Sequence, residues 1–255
     1  MRGPKENRNV DRRGQLAMEA IPFGTGIFTV PQASRMLRVN LGTVSRWFRG
    51  YSYRPVPGAP KRNKPPVGRT QRDLPLISGE RAMSFLEFEE LVVVTAFVRK
   101  GLPLQRVRVA AECLMTEYGV DRPFAYRRIF TDGADIFASM ENEAKAPDLI
   151  KLTRKDRLQI RAGRIDAPFV EEIKFSSKAP FVAELYYPCG QDIPIVVNPN
   201  IAFGAPIVEG TRVTVETIAA MVRGSSIEQV AEEYELSARA VKAAVAYASS
   251  LTSPV

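Results

Sequence analysis

The chain has 255 residues, 45% of them hydrophobic and 25% charged, with a net charge of +8 and no histidine. That length suits two small domains or one large one. Without histidine there are no Ser-His or Cys-His nucleophile pairs, none of the usual catalytic zinc sets and no commonest general base, so no enzyme is expected; only carboxylate or lysine chemistry stays open.

Cys113 and Cys189 are far apart and lack CxxC spacing, which argues against a disulfide framework and a Cys-rich zinc site; no metal or cofactor is expected. The longest apolar run, within Leu91–Val98, is already broken by Thr95 and falls far short of the roughly 20 residues a membrane span needs. The first 13 residues have no apolar core and cannot be a secretory signal, so a cytoplasmic protein without a membrane partner is expected. The charge is uneven. Residues 1–83 hold 16 Lys/Arg against 5 Asp/Glu, a net +11; residues 84–255 hold 20 against 23, a net −3. A phosphate-binding end needs such an asymmetry, although a solubilising basic tail would show it too.

Residues 1–26 read as a flexible basic arm, with Met18 as an alternative start. Thr29 and Gln32 fit a capping box that opens a first helix, with Pro31 in its first turn and Ala33, Met36 and Leu37 on one face. Val39 falls in a short turn. Asn40 can cap a second helix in which Val44 and Trp47 share a face while Ser45, Arg46 and Arg49 take others. Two short helices on a tight turn, sealed by apolar residues, have helix-turn-helix proportions. Residues 50–83 are rich in Pro, Gly and cations and read as an extended loop or hairpin, either a wing or a flexible linker, with Leu74, Leu76 and Ile77 as a short return strand.

Ser84 with Glu87 is a second capping box. The helix behind it carries Phe85, Phe88, Val92 and Thr95 as a core stripe and stops near Lys100-Gly101. Leu104, Val107, Ala111, Leu114 and Tyr118 form another stripe, with Cys113 beside it. Residues 124–137 read as a turn and strand pair around Asp132-Gly133, and 139–157 as a polar linker. Ile173, Phe175, Val182, Leu185, Tyr186 and Ile195–Val197 suggest strands broken by Pro180, Pro188 and Pro194. Asn198-Pro199-Asn200 is a turn, and Pro206–Val208 with Arg212-Val213 a small hairpin. Three helices follow, over 215–223, 226–234 and 237–247, the middle one opened by a Ser226/Gln229 capping box.

The predicted fold is mostly α with small β elements: an N-terminal winged helix-turn-helix, a mixed α/β middle and a C-terminal three-helix unit with a β-hairpin. The expected divisions are an arm at 1–26, a DNA-binding domain at 27–138, a linker at 139–157 and a partner-binding or dimerisation region at 158–255 with its helical unit at 198–250. In the second helix Thr43, Ser45 and Arg46 are placed to read base edges. Arg49, Arg54, Lys61, Arg62, Lys64 and Arg69 are placed to hold phosphates, and Tyr51 and Tyr53 to pack the wing or bond phosphate.

At the other end Gly210 permits a tight reversal, Thr211 can bond back to the turn and Arg212 can pair with a carboxylate or phosphate. Glu228, Glu232, Glu233 and Glu235 face only Arg239 and Lys242 in the last helix pair. That acidic surface, with Glu232 and Tyr234 on it, suits dimerisation or a protein partner better than DNA.

Thr29–Tyr118 resembles the winged helix-turn-helix of MerR-type regulators. The shared layout is Thr-Val-Pro-Gln-Ala-Ser-Arg-Met-Leu-Arg-Val, then Thr-Val-Ser-Arg-Trp, a wing, Ser-Phe-Leu-Glu-Phe-Glu-Glu-Leu and Gly-Leu-Pro-Leu-Gln-Arg-Val-Arg. The wing is longer and richer in Pro and cations than is usual there. Pro206–Tyr247, with Pro-Ile-Val-Glu-Gly-Thr-Arg-Val-Thr-Val, resembles a small bacterial antitoxin domain first catalogued as a domain of unknown function, number four hundred and thirty-three. The pair is similar to the long VapB-type antitoxins. That resemblance implies a type II antitoxin that neutralises a PIN-domain ribonuclease toxin and represses its own operon by binding double-stranded operator DNA. Repressors on palindromic sites are symmetric, so a homodimer is expected. The competing reading is a MerR-type regulator that responds to a small ligand through its C-terminal region.

Overall fold

A computed structural model describes residues 26–68, 74, 76–77, 79–118, 122–125, 129–131, 136–140, 148–151, 159–161, 172–176 and 183–253; for 117–118 and 129–161 only the backbone is described. Arg69, the Asp132-Gly133 turn, Pro180, Val182 and the expected arm up to residue 25 lie outside these residues.

The first helix, α1 (Val30–Leu37), opens on the Thr29/Gln32 capping box, and its buried face is Val30, Ala33, Met36 and Leu37. Arg38 takes a left-handed conformation and the chain turns directly into α2 (Leu41–Arg49), capped by Asn40. Two antiparallel hairpins fill the basic, proline-rich stretch. The first is β2 (Tyr51–Tyr53) with β3 (Arg62–Lys64), the second β4 (Leu76–Ile77) with β5 (Glu80–Arg81). The wing is therefore two hairpins, and the return strand has a partner of its own. Before α1, β1 (Ile27–Phe28) pairs with β6 (Met83–Ser84), which clasps the module at its base.

The Ser84/Glu87 capping box starts α3 (Phe85–Arg99). The expected stripe residues Phe85, Phe88, Val92 and Thr95 are all buried, but so are Glu87, Glu89, Glu90, Val93 and Val94. A helix buried around its circumference, acids included, lies inside a fold and not on its surface. Here α1, α2, α4 (Leu104–Tyr118) and β12 (Ala183–Tyr186) surround it, so α3 is a central post, not a one-faced helix. No helix among the described residues is long and apolar enough to cross a membrane.

Beyond α4 the chain forms a four-stranded antiparallel meander of β7 (Ile129–Thr131), β8 (Ile136–Met140), β9 (Asp148–Lys151) and β10 (Gln159–Arg161). β8 and β9 take up part of the span expected as a linker: residues 139–140 pair with 148–149 where polar composition alone suggested open chain. A second meander joins β11 (Ile173–Phe175), β12, β13 (Ile195–Val197) and β14 (Pro206–Val208). The principal partner of β14 is thus β13, and the expected 206–213 hairpin reduces to one bridge, Ile207 to Thr214. Three helices close the chain: α5 (Val215–Met221), α6 (Ile227–Glu233) and α7 (Ala238–Thr252).

One hydrophobic core runs through both ends. Phe28 stacks on Phe88 with ring centroids 4.7 Å apart, and Phe88 meets Tyr186 of β12 edge-on at 5.4 Å. The same cluster continues through Ile195 and Val197 of β13 to Ile218, Val230 and Val241 of the last three helices.

Candidate nucleic-acid interface

The angle between α1 and α2 is fixed from three sides. Val44 is fully buried and Trp47 and Phe48 nearly so, which seals α2 onto the core. Ser34 Oγ donates to the Val39 carbonyl at 2.7 Å across the turn. From α3, Arg99 Nη2 donates to the Leu37 carbonyl at 2.7 Å and closes the end of α1. Buried groups thus set the direction of α2, and its outer face is left to Leu41, Gly42, Arg46 and Arg49, with Thr43 and Ser45 half-buried beside them. The Arg46 guanidinium lies back along the helix, its Nε donating to the Gly42 carbonyl at 3.1 Å and its Nη2 to Thr43 Oγ1 at 3.2 Å. Two of the three expected base-reading residues are therefore in contact.

Arg49 is already engaged. Its Nη2 meets Glu80 Oε2 of β5 at 2.7 Å, and both side chains are partly exposed. The neighbouring Arg81 lies over the Phe48 ring, 4.1 Å from its centroid, and pairs with Glu87 at 3.3 Å. The second hairpin is thus fastened to α2 by adjacent residues. Burial lowers the pKa of Arg81, and the Glu87 carboxylate works against that shift.

The first hairpin springs directly from α2. Gly50 has a φ of +73°, and a Cβ there would lie 2.5 Å from the Lys64 carbonyl oxygen, so only glycine lets the strands close. Tyr51 pairs with Lys64, Ser52 with Asn63 and Tyr53 with Arg62. Alternation along the strands puts Tyr51, Tyr53, Arg62 and Lys64 on one face and Ser52 and Asn63 on the other, where Ser52 Oγ donates to Asn63 Oδ1 at 2.7 Å. Arg54 and Lys61 are exposed in the connecting loop. At its exit the hairpin is held by the Val67 N–H, which donates to the Trp47 carbonyl at 2.9 Å, and by Arg108 of α4, whose Nη1 donates to the Pro65 carbonyl at 2.6 Å. Lys64 is half-buried at this base, so the freely exposed wing cations among the described residues are Arg54, Lys61 and Arg62. Sequence reasoning missed Glu80, which lies 31 residues from Arg49 and gives no local signal.

At the other end Gly210 has a φ of +79° in an exposed turn. Thr211 Oγ1 donates to the Val208 carbonyl at 2.8 Å and accepts from the Val213 N–H at 3.0 Å, as its position in the turn suggested. Arg212 and Glu232 are exposed, while Tyr234 is half-buried and packs against the core. Among the described residues no hydrogen bond or ion pair links the 210–212 turn to Glu232 or Tyr234.

The fold and this face define a helix-turn-helix protein with a second, separately recognisable module. The family described as "Putative DNA-binding HTH domain" matches residues 26–111, and the family described as "Protein of unknown function (DUF433)" matches residues 195–248. The second match begins at the first residue of β13, the strand that pairs with β14. The chain is 27% identical over 222 residues to a Mycobacterium tuberculosis protein named "Putative antitoxin VapB45", covering 83% of this chain and 89% of the relative. The crystal structure of Rv2018 from Mycobacterium tuberculosis shares the fold, with a TM-score of 0.58 at 19% identity, over 88% of this chain and all of that one. Along most of its length, both modules included, the chain is thus similar to a protein named as a long VapB-type antitoxin.

Proposed function

We propose that this protein is the antitoxin of a type II toxin–antitoxin pair, a homodimer that neutralises a PIN-domain ribonuclease and represses its own operon by sequence-specific DNA binding. The observation that carries the DNA-binding half is the face of α2 and the first hairpin: residues 41–64 contain six Lys/Arg and no Asp/Glu. A helix held by its apolar side, with Arg46 exposed, Thr43 and Ser45 half-buried beside it and cations flanking it, has the layout of major-groove reading between phosphate contacts. The partner half rests on the likeness to the named antitoxin and on the acidic surface of α6.

Co-expression with the product of the adjacent gene, followed by footprinting of the purified complex on the upstream region, tests both halves. A co-purified nuclease whose activity is suppressed, and a protected site, are the expected results. Failure of either removes that half. Arg46→Ala should cost about 1–3 kcal/mol on the protected site and relax its sequence preference. Equal losses on specific and random DNA would remove the base-reading role.

A further inference from the structure

The turn at Ala202–Gly204 is the most conspicuous strained segment among the described residues. Ala202 and Phe203 both have positive φ, +48° and +54°, and Gly204 follows at +85°. Side chains disfavour this region because Cβ approaches the carbonyl oxygen. The turn is nonetheless closed by the Gly204 N–H on the Ile201 carbonyl at 3.0 Å and the Ala205 N–H on the Ala202 carbonyl at 2.9 Å. It cannot slide inward: a Cβ on Gly204 would lie 2.6 Å from the Phe28 ring, which is stacked in the core. Strain that the surrounding structure enforces points to a function for what it presents. What it presents is the Phe203 side chain, 74% exposed.

Phe203 itself forms one rim of a recess of about 220 Å³ between the two modules. Its apolar lining includes Phe28, Met36 and Leu251, all buried, and its charged lining is Arg35 of α1 and Glu216 of α5, both exposed. Among the described residues neither Arg35 nor Glu216 is in an ion pair. A cavity of about 150 Å³ accepts a benzene ring, so this one has room for a phenyl group.

We infer that this patch is where two copies of the chain meet, the Phe203 ring of each entering the recess of the other. The inference rests on the dimer proposed above and gives it a surface. Knob and recess adjoin on one face, and a two-fold axis beside them lets each fill the other. The charges agree: across that axis Arg35 of one copy faces Glu216 of its partner, whereas a partner of a single charge sign is repelled by one of the two. The recess is lined in part by α1, the helix packed on α2, and a palindromic site requires the two α2 helices of such a dimer to lie about 34 Å apart.

Sedimentation equilibrium of the full chain without DNA tests this. The wild type should be a dimer. Phe203→Gly, which suits a φ of +54°, should keep the wild-type circular dichroism spectrum and raise the dimer dissociation constant at least about tenfold. Arg35→Glu and Glu216→Arg should each weaken the dimer, and the double variant should restore it. A wild-type dimer indifferent to all these substitutions overturns the surface and leaves the proposed dimer standing. A wild-type monomer at tens of micromolar overturns both, and would leave the recess to another protein or to residues 1–25.

Discussion

Two helix pairs in this molecule begin alike and end up facing opposite chemistries. α1–α2 and α6–α7 each open on a capping box, Thr29/Gln32 and Ser226/Gln229, and each turns after a residue with positive φ, Arg38 and Glu235. Outside, the first pair and its hairpin carry eight cations and no acid over 30–64, whereas 226–252 carries four carboxylates and two cations. One of those two cations, Arg239, is tied up by donating to the Asp192 carbonyl at 2.9 Å. Local sequence rules that make a helix pair say nothing about its partner; the charges on the outward positions do.

The largest expected effect comes from breaking what the two regions share. Phe88 is fully buried between Phe28 and Tyr186, and so joins the N-terminal module to the second meander. Phe88→Ala should cost about 3–5 kcal/mol. Because one core spans both pairs, denaturation followed separately by Trp47 fluorescence and by helix content should shift together. Separate transitions would mean that the pairs are independently stable.

The contrast in charge predicts the next effect. Replacing Arg54, Lys61 and Arg62 together by alanine should flatten the dependence of log affinity on log salt by roughly 2–3 units, since each lost phosphate contact removes about 0.9. Replacing Arg239 and Lys242 should leave that slope unchanged. A slope that responds to both sets would abolish the distinction between the two pairs.

Much of this was legible in sequence because it is local. Capping boxes, the Asn40 cap and the stripes of α1, α2 and α4 depend on residues within one or two turns of each other. The burial of Glu87, Glu89 and Glu90 was not, since it follows from α1, α2, α4 and β12 enclosing α3 on all sides. Phe203 in Ala-Phe-Gly gives no sign of its left-handed backbone, nor of the Phe28 ring, far away in sequence, that leaves no room for a side chain at Gly204. The sheet residues 148–151 were hidden by polar composition, because a strand is recognised by its pairing as much as by its apolar content.

These buried acids sharpen the comparison: the N-terminal module hides carboxylates under its basic face, while α6 displays them. Burial pushes the Glu90 carboxyl up to about 8, with Arg122 acting against the shift and Glu87 adding to it. Burial also raises Glu89 well above its ordinary range. Between its ordinary value of 4.5 and about 8, Glu90 keeps a proton in the folded state that the unfolded state has lost. Stability should therefore fall as pH rises through that window and level off above it. Urea unfolding across that window and just beyond it checks this, and Glu90→Gln should flatten part of the decline. A wild-type stability that rises across the window would contradict it.

The smallest effect concerns Glu80, an acid at the edge of the basic face. Glu80 holds Arg49 at 2.7 Å, and both groups are partly exposed, so the pair itself contributes little to stability, of order 0–1 kcal/mol. Its consequence lies in binding: a guanidinium shared with a carboxylate is a weaker phosphate ligand than a free one. Glu80→Gln should leave the melting temperature nearly unchanged, strengthen DNA binding at low salt and steepen the salt dependence by about one unit, the increment of one additional phosphate contact. If binding weakens instead, Glu80 orients Arg49 toward DNA and does not compete for it, and the basic face then needs that carboxylate.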